Sequence, residues 1–273
     1  MKRILTALVA LPILLATVWV ETPYYFAAIA AVAALVALYE FYSLASKVGC
    51  RPLSVLGCAA ALVVMAAFVI DRPAWIVAAL AFLSILSLAA AILRPDDQAR
   101  ALASVSATVF GVIYTALLAG YLMGVRMTPD TPATPKLAAK LLTTFFAMVM
   151  MTDTGAYYTG RSIGRHKLAP RVSPGKTIEG SVGGFITAAV AGLVCKYLFF
   201  PTMPTWHALA LGAVIGIVGQ VGDLAESMLK RGSEVKDSGQ IFPGHGGMLD
   251  RLDSILFCAP IIYYYSRLFI SHL

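Results

Sequence analysis

The sequence predicts an all-α, polytopic integral membrane protein with about nine transmembrane helices and a cytoplasmic N-terminus. Hydrophobic residues make up 59% of the 273 residues and charged residues only 13%, whereas soluble domains carry about 25% charged residues. The apolar residues also form runs, and several approach the roughly 20 residues that a helix needs to cross the hydrocarbon core. A soluble helical bundle would not combine so little charge with runs of this length.

Nine runs are long and apolar enough to be predicted spans. In chain order they are Ile4–Val20, Tyr24–Ser46, Leu53–Ile70, Ala74–Leu93, Ala101–Met123, Leu141–Thr159, Gly180–Phe200, His207–Leu224 and Leu252–Ile270. The sixth and eighth are the weakest, because Asp153 and Asp223 lie within them. The basic start of the chain also has features of a secretory signal. Its apolar part is long and no Ala-x-Ala-like site precedes Glu21, so we expect an uncleaved first span.

Lysines and arginines indicate the orientation, since they favour the cytoplasmic side of a membrane protein. With the N-terminus inside and nine alternating spans, most of the 21 lysines and arginines lie on the inner side. The two most polar stretches of the chain then face the cytoplasm as well. The net charge of +7 would suit anionic lipid headgroups or phosphate ligands.

The composition changes at the segment GVRMTPDTPATPK, which is rich in Pro and Thr. Residues 1–135 are predicted to form an N-terminal five-helix membrane region without a cluster of reactive groups. Residues 136–273 are predicted to form a C-terminal catalytic membrane region with two cytoplasmic loops. The four cysteines form no C-x-x-C pair, so neither a zinc site nor a disulfide framework is indicated. No basic, aromatic-rich soluble module points to nucleic acid.

The first polar stretch reads GRSIGRHKLAPRVSPGKTIEGSVGG and contains five cations. Ser173 leads into a predicted helix start with Lys176 and Thr177, and hydroxyls, backbone N–H groups and a lysine at a helix N-terminus suit a phosphate. The spacing is not that of a P-loop, and a basic loop that only fixes topology is the alternative. Asp153 precedes this stretch. A carboxylate at membrane depth is a functional candidate, although it could instead reach the inner surface from a helix end.

The second polar stretch, Ser227–Ser254, reads SMLKRGSEVKDSGQIFPGHGGMLDRLDS. Asp223, Ser227 and Lys230 are spaced to share one helical face where the eighth predicted span continues into this stretch. A glycine-rich loop then leads to Asp250 and Asp253, which open the last predicted helix. First-turn carboxylates favoured by the helix dipole are the simpler interpretation, but it leaves Asp223 unexplained. Carboxylates among many cations are typical of a site for Mg²⁺ and a polyphosphate.

This stretch resembles the signature of phosphatidate cytidylyltransferase, the CDP-diacylglycerol synthase family. The specified positions are filled by Ser227, Leu229, Lys230, Arg231, Lys236, Asp237, Gly239, Phe242, Pro243, His245, Gly246, Gly247, Met248, Asp250, Arg251, Leu252 and Asp253. The upstream stretch DTGAYYTGRSIGRHKLAPRVSPGKTIEG is also similar to a characteristic region of that family. The resemblance is specific over about residues 150–255, and residues 1–135 gain no site assignments from it.

The resemblance implies that CTP and phosphatidate give CDP-diacylglycerol and pyrophosphate, for phospholipid biosynthesis. It implies Mg²⁺ held by Asp223 and Asp250, allows a neighbouring K⁺, and suggests a homodimer in the inner (plasma) membrane with its active site facing the cytoplasm. The implied catalytic residues are Asp223, Asp250, Lys230, Arg231, His245 and Asp253. The implied substrate-binding residues are Ser173, Lys176, Thr177, Ser227, Lys236, Arg251 and Asp153.

Three other functions remain open from the sequence. A CTP-dependent lipid kinase of the polyprenol or phytol type would transfer the γ-phosphate and release CDP. An ion-coupled transporter would place polar residues through the full membrane thickness and show repeat symmetry, whereas here the polarity is concentrated at one face. A purely structural membrane protein would not depend on Asp223 or Asp250 for any activity.

Overall fold

The computed structural model describes residues 12–93, 98–239 and 246–268. Helix α1 covers residues 12–19. The helices that follow are α2 (Tyr24–Lys47), α3 (Ser54–Val69), α4 (Pro73–Ile92), α5 (Gln98–Val112), α6 (Leu118–Arg126), α7 (Leu137–Ile163), α8 (Ile178–Leu198), α9 (Thr205–Gly232) and α10 (Leu249–Leu268). A π-helical turn, Ile113–Leu117, joins α5 to α6.

Six of the described helical segments are long and apolar enough, by length and composition, to cross a membrane. They are Tyr24–Lys47, Pro73–Ile92, Gln98–Arg126, Leu137–Ile163, Ile178–Leu198 and Thr205–Gly232. The predicted all-helical membrane architecture is therefore confirmed, but the count of nine spans is not. Residues 4–11 of the first predicted span lie outside the described residues, α3 has only 16 residues, and α10 combines charged residues in its first turns with Pro260 in its interior.

Large apolar side chains cover much of the outer surface of these helices. Val55 is 87% exposed, Ile92 80% and Leu102 79%. Contiguous apolar surface of this kind is unfavourable in water and marks a surface that another apolar phase covers. The helices therefore have the outward face that lipid chains require.

A small β-hairpin interrupts the helical pattern. Strand β1 (Lys167–Ala169) pairs antiparallel with β2 (Ser173–Thr177), with Lys167 opposite Thr177 and Ala169 opposite Ser173. Helix α8 starts directly after β2, and the Thr177 hydroxyl accepts a hydrogen bond of 3.1 Å from the Gly180 N–H. The polar stretch predicted as a loop before a helix is thus a hairpin whose last residue caps the helix.

The chain divides into two compact units. Unit 1 contains the described residues of Thr22–Gly124 and Leu229–Leu252. Within it, the Tyr42 hydroxyl donates to the Thr108 carbonyl at 2.8 Å, and the Phe41 ring lies 5.7 Å from that of Phe110. The Thr108 hydroxyl also accepts from the Leu53 N–H. These contacts attach α2 and the start of α3 to α5.

Unit 2 contains Val125–Met228, the described residues up to Glu21 and those from Asp253 onwards. Helices α7 and α8 pack closely because small residues line their contact. A Cβ atom at Gly184 would lie 2.8 Å from the Thr152 carbonyl oxygen, so a larger residue would force the helices apart. Close helix packing through small residues is characteristic of membrane helices. It fixes the position of the hairpin between them.

Candidate functional site

In unit 2, a lysine from the hairpin pairs with a carboxylate on α9. The Lys176 ammonium lies 2.7 Å from Asp223 Oδ2, and the two side chains are 24% and 33% exposed. The Ser227 hydroxyl, one turn further along α9, lies 3.4 Å from Asp223 Oδ1. Because a half-buried carboxylate is unfavourable without an opposite charge, the Lys176 ammonium offsets the charge of Asp223.

In unit 1, a second lysine pairs with a second carboxylate. The Lys230 ammonium, near the end of α9, lies 2.6 Å from Asp250 Oδ1 in the first turn of α10. Their side chains are only 14% and 8% exposed, so this pair is more buried than the first. Such pairs contribute little net stability, but removing one partner leaves a buried charge and costs about 3–5 kcal/mol.

The other oxygen of Asp250 holds the loop that leads into α10. Asp250 Oδ2 accepts hydrogen bonds from the Ser238 N–H at 3.0 Å, the Ser238 hydroxyl at 3.0 Å and the Gly247 N–H at 2.6 Å. Asp250 therefore joins Lys230 to two points, Ser238 and Gly247, in the segment between α9 and α10. His245, a predicted catalytic residue, lies in this segment but outside the described residues.

The hairpin is held by a carboxylate at the start of α8. Glu179 accepts from the backbone N–H groups of Arg165 and His166, and its Oε1 lies 2.6 Å from His166 Nδ1. The end of α7 and the segment from there through the hairpin expose the basic residues Arg161, Arg165, Lys167 and Arg171 to solvent. The same stretch of chain that supplies Lys176 thus carries further exposed cations, which suits an anionic ligand.

The remaining predicted residues have different surroundings. Lys236, Arg231 and Arg251 are exposed in unit 1. In unit 2, Ser173 is half-buried in β2, Asp153 is exposed on α7, and Asp253 Oδ1 accepts from the Ser254 N–H at 2.6 Å. Thr177 is buried and caps α8. The structure thus gives Thr177 a helix-capping role, and its contact with substrate stays a prediction.

Glu40, which lies far from both polar stretches along the chain, was not among the predicted site residues. Glu40 is 3% exposed in α2, and its carboxylate accepts from Ser238, Met248 and Leu249. A single carboxylate within the apolar run AAVAALVALYEFY is itself an unusual feature. That signal could have singled out Glu40, although not its partners.

The residues present fit Mg²⁺ in their chemistry. Among the described residues, no group of three or more His, Cys, Asp or Glu side chains comes together to hold a metal ion. Mg²⁺ does not require such a group, since proteins usually bind it through one or two carboxylates together with waters and substrate phosphates. Asp223 and Asp250 supply hard oxygen atoms beside cations that could transfer to a phosphate.

Three similar proteins illustrate what the chain resembles. The Escherichia coli (strain K12) protein named uncharacterized protein YnbB is 42% identical over 171 residues, which cover 63% of this chain and 56% of that protein. The phosphatidate cytidylyltransferase of Bacillus subtilis (strain 168) is 46% identical over 127 residues, covering 46% and 47% of the two chains. That of Staphylococcus haemolyticus (strain JCSC1435) is 48% identical over 117 residues, covering 43% and 45%.

These alignments show that the chain spans about half the length of the curated relatives that it matches. The sequence profile of the Cytidylyltransferase family, in contrast, matches residues 1–269. A match of that extent includes both polar stretches and the N-terminal helices together. The chain therefore belongs to the cytidylyltransferase family.

Proposed function

We propose that the protein transfers the cytidylyl group of CTP to phosphatidate, giving CDP-diacylglycerol and pyrophosphate. The observation that supports this proposal best is the presence of two lysine–carboxylate pairs, Lys176–Asp223 and Lys230–Asp250, in a chain of the cytidylyltransferase family. Both pairs are built from the residues that the sequence predicts for a site of Mg²⁺ and a polyphosphate.

The reaction needs little proton transfer from the protein. A phosphate oxygen of phosphatidate attacks the α-phosphorus of CTP, the bond from that phosphorus to the β-phosphate oxygen breaks, and pyrophosphate leaves with the bonding electrons. Because the attacking phosphate is already ionised, no strong general base is required. Positioning and charge neutralisation therefore supply most of the catalysis.

The described residues have suitable roles in such a reaction. Lys176, Lys230, Arg231 and Arg251 bind phosphate oxygens, with Ser173, Thr177, Ser227 and Lys236 as further contacts. Asp223 and Asp250 are the proposed ligands of Mg²⁺, and Asp153 and Asp253 add ligands or orient them. Bound Mg²⁺ would offset the negative charge of the triphosphate and of departing pyrophosphate. His245 would contact the triphosphate or assist the departure of pyrophosphate.

The two substrates explain why a membrane protein would carry this site. CTP is soluble in the cytosol, whereas phosphatidate stays in the bilayer, so the reaction must occur at the inner surface of the membrane.

We propose nine spans, a cytoplasmic N-terminus, a location in the inner (plasma) membrane and a homodimer. Static light scattering in detergent would measure the oligomeric state, and a monomer would contradict the last of these proposals.

Doubly labelled CTP tests the reaction directly. Purified protein in lipid nanodiscs is incubated with phosphatidate, Mg²⁺ and CTP that carries distinguishable radioisotopes in its α-phosphorus and its γ-phosphorus. We expect the α-label in the lipid product and the γ-label in pyrophosphate. EDTA should abolish both, and added Mg²⁺ should restore them. Comparing the rate in matched buffers that contain K⁺ or Na⁺ tests whether the reaction also uses K⁺ beside Mg²⁺.

The alternative functions give different label patterns. With a polyprenol or phytol acceptor in place of phosphatidate, a kinase would transfer the γ-phosphate of CTP to the alcohol, so the γ-label would appear in the lipid and CDP would be released. No labelled lipid under either condition would contradict both transferase proposals. Activity that persists in excess EDTA would contradict the proposed role of Mg²⁺ while leaving the transferase reaction in place.

A further inference from the structure

Glu40 receives hydrogen bonds from the segment that precedes α10. Its Oε1 accepts from the Met248 N–H at 3.0 Å, and its Oε2 accepts from the Leu249 N–H at 2.8 Å. Oε2 also accepts from the Ser238 hydroxyl at 3.0 Å. All of these residues belong to unit 1. A carboxylate at the first turn of a helix satisfies N–H groups that have no partner within the helix and interacts favourably with the helix dipole.

Ser238 connects Glu40 to Asp250. Its hydroxyl oxygen lies 3.0 Å from Glu40 Oε2 and 3.0 Å from Asp250 Oδ2. A hydroxyl has one proton and donates to one carboxylate at a time, while the Ser238 N–H also donates to Asp250. Glu40 is therefore separated from the Lys230–Asp250 pair by a single side chain.

The backbone at Gly239 and at Gly247 lies close to the Glu40 carboxylate. A Cβ atom at Gly239 would collide with Glu40 Oε1, and one at Gly247 would collide with Glu40 Oε2 and the Ser238 hydroxyl. A side chain at Gly239 or Gly247 would therefore have to displace the Glu40 carboxylate from its present position. Moving the carboxylate would move the backbone that donates to Asp250.

We propose that Glu40 is a positioning residue for the proposed reaction, acting through Ser238 and the start of α10 to fix Asp250. This inference rests on the proposed function. It assigns a role to the N-terminal helices, which carry none of the motif residues. A purely structural role for Glu40 would instead affect the stability of the whole protein and leave the turnover of the folded fraction unchanged.

Glu40→Gln tests the proposal because an amide keeps the size of the side chain but has only one acceptor atom. Its NH₂ group would face a backbone N–H donor. We expect kcat to fall about 10- to 100-fold, as for outer residues that orient metal ligands, while KM for CTP changes less than about 3-fold. Hydrogen–deuterium exchange should show the amides of residues 246–252 exchanging at least about tenfold faster.

Asp130→Asn is the matched control, since Asp130 Oδ1 also accepts an N–H at a helix start, from Leu137, at 2.9 Å. It should leave kcat and the exchange of residues 246–252 unchanged. Ser238→Ala is a second test that keeps Glu40 and its two backbone contacts. It should lower kcat by a smaller factor, about threefold to tenfold, with an unchanged melting temperature.

Several results would overturn the proposal. The proposal is wrong if Glu40→Gln keeps the wild-type kcat and the wild-type exchange rates of residues 246–252. It is also wrong if the activity of Glu40→Gln falls only in proportion to the loss of folded protein. If Glu40→Gln does not fold, wild-type kcat and exchange in Ser238→Ala would have the same meaning. An inactive wild-type protein would contradict the proposed function instead. The exchange measurement would still show whether Glu40 holds the loop.

Discussion

At the scale of residues, Lys176 and Lys230 each lie within 2.7 Å of a carboxylate. The sequence identified all four of these residues but not which would pair. Lys176 and Asp223 are 47 positions apart along the chain, and no local spacing relates a hairpin residue to a helix residue. Glu40 was harder to predict, because its partners lie about 200 residues away and only the folded chain brings them together.

We expect Asp250→Asn to lower kcat by at least about 100-fold. The amide would turn an NH₂ group towards the backbone donors of Ser238 and Gly247, and Lys230 would lose its negative partner. The doubly labelled CTP assay measures the effect. Asp71→Asn, an exposed change in the link before α4, is the control. Near-normal kcat in the presence of Mg²⁺ would contradict the assignment of Asp250.

Exchanging the charges of the Lys176–Asp223 pair tests whether the pair contributes only to stability or also to catalysis. Lys176→Met leaves Asp223 without its cation, and we expect kcat/KM for CTP to fall at least about tenfold. The double variant Lys176→Asp with Asp223→Lys restores an ion pair and should recover most of the melting temperature. It should remain inactive, because the carboxylate proposed to bind the metal and the ammonium proposed to bind phosphate would have exchanged positions. An active double variant would show that the pair is only structural.

At the scale of elements, the helices were predicted better than the links between them. The predicted span Tyr24–Ser46 differs by one residue from α2, and Gly180–Phe200 is displaced by two residues from α8. Runs of apolar residues determine such helices, so their sequence pattern is sufficient. The hairpin was not predicted because its strands have three and five residues and include Pro174 and Gly175. Those residue types usually indicate a turn.

The cap of α8 provides a prediction about the hairpin and the helix together. Thr177→Ala removes the acceptor for the Gly180 N–H and should lower the free energy of unfolding by about 1 kcal/mol. Thr177→Ser keeps the hydroxyl and should stay close to wild type in stability. Thermal unfolding in detergent measures both. If Thr177→Ala loses only stability and retains kcat/KM, the predicted contact between Thr177 and substrate is wrong.

At the scale of the whole molecule, the orientation in the membrane is open to a direct test. In a variant without its four native cysteines, Gly175→Cys and Ala133→Cys each place a single thiol, the first in β2 after α7 and the second in the segment before α7. Gly175 has open space around its Cβ position, and Ala133 is exposed. An impermeant maleimide should label Cys at 175 only in inside-out vesicles and Cys at 133 only in right-side-out vesicles. The reverse pattern would contradict a cytoplasmic N-terminus.

The hydrogen bonds of Glu40 also have a consequence for biosynthesis. Translation proceeds at about 5–20 residues per second, so roughly 10–40 s separate the synthesis of Glu40 from that of Ser238 and Leu249. During this interval α2 carries a carboxylate in an apolar segment without the three donors that later surround it. A chain that stops before Ser238 would keep this carboxylate in an apolar helix without any of the three donors, so we expect α2 to be less stable in the membrane in such a fragment.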